Sequence, residues 1–141
     1  NKSYDSDDNI CVHGLDLEKK YYLRRFKKPL DPGYINKHIS IDESKFNILL
    51  AHSPLFVKDY ADSHVDLALA GHFHGGTIRF PCGVGVMTPQ LHFFNRLVVG
   101  MKKVGNMVQI IGAGLGTHSI NIRLNDMSEL IVINLKCRNK S

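Results

Sequence analysis

Asn47-Ile48-Leu49-Leu50-Ala51-His52-Ser53-Pro54 and, a short way downstream, Asp66-Leu67-Ala68-Leu69-Ala70-Gly71-His72 decide how this chain folds. Each holds a continuous apolar run rather than an alternating one, the pattern of a strand buried on both faces. Between them, Ser53 is a good N-cap and Pro54 stands where a helix accepts proline at its first position. A helix is therefore expected over about 54–63, flanked by strands at 47–52 and 66–71. Strand, helix, strand is a βαβ unit, with two parallel neighbours and a right-handed crossover. His52 and His72 then fall at the carboxyl ends of adjacent strands, the edge where open α/β sheets place their ligands.

The second run leads directly into Gly71-His72-Phe73-His74-Gly75-Gly76. Imidazoles at alternate positions offer neutral nitrogens that divalent first-row metals accept. The glycines let backbone come close to whatever is bound. His72 and His74 are thus candidate metal ligands, and His52 is a third because it converges on the same edge. His13, His38, His64 and His92 have no such context and read as ordinary surface or core residues.

The rest of the chain is more commonplace. It has 141 residues, 43% hydrophobic and 22% charged, enough for one globular domain and far from a disordered composition. No apolar run is long enough to span a membrane, and nothing at the start reads as a signal peptide. The first methionine is Met87, so the chain reads as a product of processing, truncation or proteolysis. The net charge of +5 suits an anionic partner. Its basic residues are scattered, however, in clusters such as Lys19-Lys20, Arg24-Arg25 and Lys27-Lys28, without the interleaved aromatics of a nucleic-acid surface. Cys11, Cys82 and Cys137 are odd in number and lie in no paired spacing, so they read as reduced thiols.

Residues 1–9 are polar and read as an unstructured lead, 10–137 as the domain, and 138–141 as a basic tail. Ile10 to Leu15 is a short apolar run ended by a glycine and is expected as a strand, and Leu17 to Phe26 has helical spacing with Leu17, Tyr21, Tyr22 and Phe26 on one face. Pro29, Pro32 and Gly33 then impose a loop. Asp42 to Lys45 holds at most one turn. Beyond residue 76 the texture becomes short apolar runs separated by Gly, Asn and Pro. Thr77–Phe80, Leu97–Met101, Met107–Ile111, Ile120–Leu124 and Leu130–Leu135 are expected as mostly antiparallel strands, with Lys103 to Asn106 as a hairpin tip.

Residues 47–76 resemble the C-terminal half of the calcineurin-like metallophosphoesterases, in the bacterial branch that carries G-H-x-H-G-G. The stretch Gly112-Ala113-Gly114-Leu115-Gly116-Thr117, followed by Ile122-Arg123, is similar to that branch's later glycine-rich segment. The resemblance covers about residues 9–136. It implies an α/β fold, part of a four-layer α/β/β/α sandwich, with one βαβ unit followed by mostly antiparallel strands. It also implies phosphoester hydrolysis by a hydroxide activated between two divalent metal ions, with Mn, Fe and Zn all compatible. By position, His52 and His72 resemble ligands of one metal and His74 a ligand of the other. Gly75 and Gly76 would admit the phosphate or simply make a tight turn, and His118 would stand at the pocket mouth. Arg123 reads as an ion-pair partner.

The family's other set, D-x-H followed by G-D-x-x-D and G-N-H-D, does not occur in this sequence. In the family that set supplies the remaining ligands, the bridging carboxylate and the acid histidine, so no catalytic acid is assigned within the chain. The expectation is an inactive chain that becomes catalytic beside its own N-terminal half, acting on a phosphomonoester or phosphodiester. Bare sheet surface would otherwise drive self-association. No nucleic-acid partner is expected, and the location is cytoplasmic, or membrane-associated through a segment upstream. The rival reading is a non-catalytic fragment that binds metal or completes a fold.

Overall fold

The computed structural model describes residues 1–7, 9–22, 29–72, 78–79, 85–87, 93–95, 99–116 and 127–136. An α/β unit emerges around a mixed six-stranded sheet. Its strands are β1 (Lys2–Asp7), β2 (Ile10–Leu15), β3 (Phe46–Ala51), β4 (Leu67–Ala70), β8 (Gly100–Val104) and β9 (Met107–Ile111), in the order β1-β2-β3-β4-β9-β8. The helices are α1 (Tyr34–His38) and α2 (Val57–Asp62). Three short strands, β5 (Ile78–Arg79), β6 (Gly85–Met87) and β7 (Phe93–Asn95), make a separate antiparallel sheet. Among the described residues, no helix is long and apolar enough to cross a membrane.

The four central strands are parallel. Ile10 pairs with Phe46, Ile48 with Leu67, and Leu67 with Val108. The unit β3-α2-β4 is the expected βαβ. The described strands after residue 76 pair mostly antiparallel, β5 with β6, β6 with β7 and β8 with β9, but β9 also runs parallel to β4. Its apolar run is short, and periodicity does not reveal direction. With β8 it forms the expected hairpin, Val104 facing Met107 across Gly105-Asn106. Gly105 has φ 59°, the left-handed conformation that a two-residue hairpin loop demands.

Other differences have identifiable causes. Residues 1–9, expected as an unstructured lead, supply edge strand β1, paired antiparallel to β2. Its polar sequence is what an edge strand uses to discourage further pairing, while Lys45 Nζ reaches Asp5 at 2.9 Å. The helix expected from Leu17 is a single 3-10 turn at Lys19–Tyr22, with residues 23–28 outside those described. Helix α1 was hidden behind Pro32-Gly33, where Gly33 at φ 68° precedes buried Tyr34 and Ile35. Helix α2 starts three residues later than its proline suggests. The carbonyls of Ser53 and Pro54, which would begin a helix there, instead accept Tyr60 Oη and Gln109 Nε2. Leu130 to Leu135 forms no strand. Its Leu130 and Val132 are exposed, and apolar residues make a strand only where an edge accepts them. Ile120–Leu124 and residues 138–141 lie outside the described residues.

Strand alternation divides the sheet into two unlike faces. Cys11, His13, Leu15, Leu49, Ala51, Ala68, Met107 and Ile111 turn to one side and are buried, as are Tyr34 of α1, Tyr60 of α2 and Phe56 just before it. Tyr21 sets its ring edge-on to Tyr34 and Phe56 at 5.2 and 5.7 Å. A polar link threads this side. Asn47 Nδ2 donates to the carbonyls of Asp42 and Lys45, both at 2.8 Å, so its Oδ1 accepts from His13 Nε2 at 3.0 Å. His13 Nδ1 meets Ser3 Oγ at 2.8 Å, which ties β1, β2 and β3 together. The opposite face carries Tyr4, Phe46, Leu50 and Met101, which remain 69%, 37%, 45% and 77% exposed, although Leu67 of β4 on the same side is buried.

Leu49 and Leu50 are neighbours on opposite faces, so the same substitution tests the assignment. Leu49→Ala is expected to lose about 2–5 kcal/mol in urea denaturation. Leu50→Ala should lose about 1 kcal/mol or less. Equal losses would contradict the register of β3.

Candidate metal centre

Parallel pairing of β3 and β4 places His52 and His72 just beyond two neighbouring strand ends. Gly71 N donates to the His52 carbonyl at 3.2 Å, so the backbones remain joined past the last regular pair. His52 follows the parity of Leu50 and faces the open side. Alternation would send His72 the other way, with Ala68 and Ala70. His72 breaks that alternation at φ 64°, a left-handed conformation that costs a non-glycine residue of order 1–3 kcal/mol. The outcome is direct contact. His72 Nδ1 lies 2.8 Å from His52 Nε2, and the ring centroids are 4.7 Å apart at 76°.

That separation provides a test of metal fit. Two nitrogens bound about 2.0–2.1 Å from one cation stand about 3.3 Å apart at the tetrahedral angle of zinc and about 2.9 Å apart at a right angle. The observed 2.8 Å is a hydrogen bond, one proton between the two nitrogens, and a tetrahedral cation would have to part them by about 0.5 Å. Imidazole nitrogens are ligands for Zn, Mn or Fe in the same way.

Tyr22 forms the adjoining wall, its ring 6.0 Å from that of His52 and 5.5 Å from that of His72. Burial and the nearby charge of Asp16 both push its hydroxyl above the ordinary range, which keeps it protonated. Sequence reasoning assigned Tyr22 only to the apolar face of a helix. Helical spacing gave no sign of the histidines, because that contact is made across the fold. Below the pair is an open depression of about 660 Å³ whose lining includes Asp16, Leu50, His52, Leu69 and Gly71.

The remaining expected site residues divide by location. His74, Gly75, Gly76, His118 and Arg123 lie outside the described residues. Among the described residues, no group of three His, Cys, Asp or Glu side chains is gathered as a metal cluster. Gly112 follows β9, so the glycine-rich segment starts on the same edge as His52 and His72, and its Ala113 N donates to Glu129 Oε2 at 3.1 Å. His92 also lies outside the described residues, while His13 is in the core and His38 Nδ1 meets the Tyr34 carbonyl at 2.7 Å. Asp62-Ser63-His64 reads D-x-H by spelling, but it follows α2 to the opposite end of the sheet, where His64 meets Glu43 at 3.5 Å.

Comparison with known proteins sets this edge in context. The chain is similar to an "Uncharacterized metallophosphoesterase" of Helicobacter pylori strain J99, 33% identical over 138 residues, which cover 94% of this chain and 36% of that protein. It is likewise similar to the metallophosphoesterase YkuE of Bacillus subtilis strain 168, 30% identical over 109 residues, 77% of this chain and 37% of that one. A metallophosphoesterase of Aquifex aeolicus is 32% identical over 97 residues, 69% of this chain and 35% of that protein. No protein-family model matches the chain, and no solved structure matches it significantly. The chain spans little more than a third of the length of these curated relatives. On these matches, and as the strand-end histidines imply, the chain belongs to the metallophosphoesterase family.

Proposed function

We propose that this chain supplies His52, His72 and His74 to a two-metal phosphoester-hydrolysing centre completed by carboxylates and a catalytic acid from outside this sequence. The observation that carries the reading is the 2.8 Å approach of His72 Nδ1 to His52 Nε2, held by a strained backbone at a parallel sheet's carboxyl edge. Divalent cations there would supply Lewis acidity toward phosphoryl oxygen and acidify water. The chain's own part is to offer neutral nitrogens, leaving net positive charge facing the phosphate, with Gly75 and Gly76 admitting it closely and His118 at the mouth. The substrate class is a phosphomonoester or phosphodiester. Alone, the chain lacks the bridging carboxylate and is expected to be inactive.

The four-layer sandwich belongs to the same proposal. Helices occupy one face of the sheet, and the other presents Tyr4, Leu50 and Met101 to solvent. Large apolar side chains exposed along one sheet face point to a covering element. We propose a second sheet against that face, from an N-terminal half outside this sequence, with self-association as the substitute when that half is absent.

Two measurements test these statements. In calorimetric titration with Mn²⁺ or Zn²⁺, His52→Ala and His72→Ala should each weaken binding by at least about 10-fold, the scale on which metal shells respond. Affinity should fall with acidification, since protonated imidazole does not ligate. Unchanged affinity in both variants would overturn the site. In size-exclusion chromatography with intact-mass analysis, the chain should run as a larger species or with a companion peptide. A clean monomer of 15.9 kDa would contradict the covered face.

A further inference from the structure

We propose that Gln109 and Tyr60 are positioning residues that lock the turn after β3 and thereby hold the His52 ring against His72. The functional meaning of this clamp rests on reading the two histidines as ligands; its geometry does not. Three consecutive carbonyls leave the end of β3, and each is taken by a different element. The His52 carbonyl accepts Gly71 N at 3.2 Å, past the end of β4. The Ser53 carbonyl accepts Tyr60 Oη of α2 at 2.8 Å. The Pro54 carbonyl accepts Gln109 Nε2 of β9 at 3.3 Å. Rotation of any one peptide plane in this turn breaks a hydrogen bond, a buried one at Ser53 and Pro54, which holds the direction in which His52 leaves the sheet.

Gln109 is the residue whose presence most needs explaining. It is 0% exposed, between Met107 and Ile111 on the covered face and opposite Ala68 of β4. Its Oε1 is the one buried side-chain polar atom without a hydrogen-bond partner among the described residues. The amide orientation is dictated, because a flipped group would set its oxygen against the Pro54 carbonyl, acceptor to acceptor. An apolar side chain would fill this place without stranding an acceptor. What glutamine adds is the single donor that reaches Pro54 from a strand 55 residues away in sequence. Tyr60, also 0% exposed, adds the matching donor to Ser53. Metal-shell supports of this kind orient a ligand without touching what it binds.

The test compares the 141-residue chain with its Gln109→Met and Tyr60→Phe variants, each of which deletes one donor at nearly constant volume. Long-range ¹H–¹⁵N spectra of the imidazoles, recorded without metal, report the His52–His72 bond directly. Both variants should shift the His52 and His72 nitrogen signals toward those of unpaired imidazole while leaving His13 and His38 unmoved. Cys11→Ala serves as the control, since it removes a buried side chain outside the cluster that contains Tyr60 and should leave the pair's signals in place. Zn²⁺ affinity, measured by competition with a chromophoric chelator, should drop about 10-fold in the two donor variants. Shifted pair signals without Zn²⁺ binding at the wild-type pair would uphold the clamp and overturn the ligand reading. Zn²⁺ binding at the pair, with signals and affinity unchanged in both variants, would overturn the clamp and leave the ligand reading intact.

Discussion

Adjacency of β3 and β4 in parallel is the constraint on which everything else in this molecule depends. Neighbouring strands lie about 4.7–4.9 Å apart, so residues that leave two parallel neighbours at the same end start within reach of each other. Parallel pairing at Ile48–Leu67 through Leu50–Leu69 sets that end, and the rings of His52 and His72 meet at a centroid distance of 4.7 Å. Had β4 run antiparallel, its C-terminal histidine would sit at the far edge of the sheet with His64.

Close approach is not automatic, and the fold invests in it. His72 adopts a left-handed φ of 64° to leave the covered face. The turn carrying His52 is held by Gly71, Tyr60 and Gln109. Strain of this sort persists where surrounding structure over-determines a conformation, and it gathers at functional positions. Meanwhile the two faces of the same sheet differ sharply. One is closed by α1, α2 and an aromatic cluster; the other leaves Tyr4 and Met101 in solvent.

Much of this was legible in the chain. Unbroken apolar runs marked β3 and β4, although β3 is covered on one face only, and Ser53-Pro54 between them marked the approach to α2. Position at the strand ends then singled out His52 and His72. What the residues did not reveal was set by tertiary pairing. The polar Lys2–Asp7 segment becomes a strand only because β2 has an edge to offer, and β9 is parallel only because it returns beside β4. Leu130 to Leu135 carries a strand's composition without a partner. Tyr22, Tyr60 and Gln109 were invisible as site residues, since each reaches the histidines or their turn from elsewhere in the fold.

The most direct test of a shared cation is X-ray absorption at the zinc edge of the Zn²⁺-loaded chain. The account predicts imidazole scattering from nitrogens at about 2.0–2.1 Å, with two such nitrogens lost in the His52→Ala, His72→Ala double variant. Identical spectra from the wild-type chain and the double variant would show that those rings do not hold the metal.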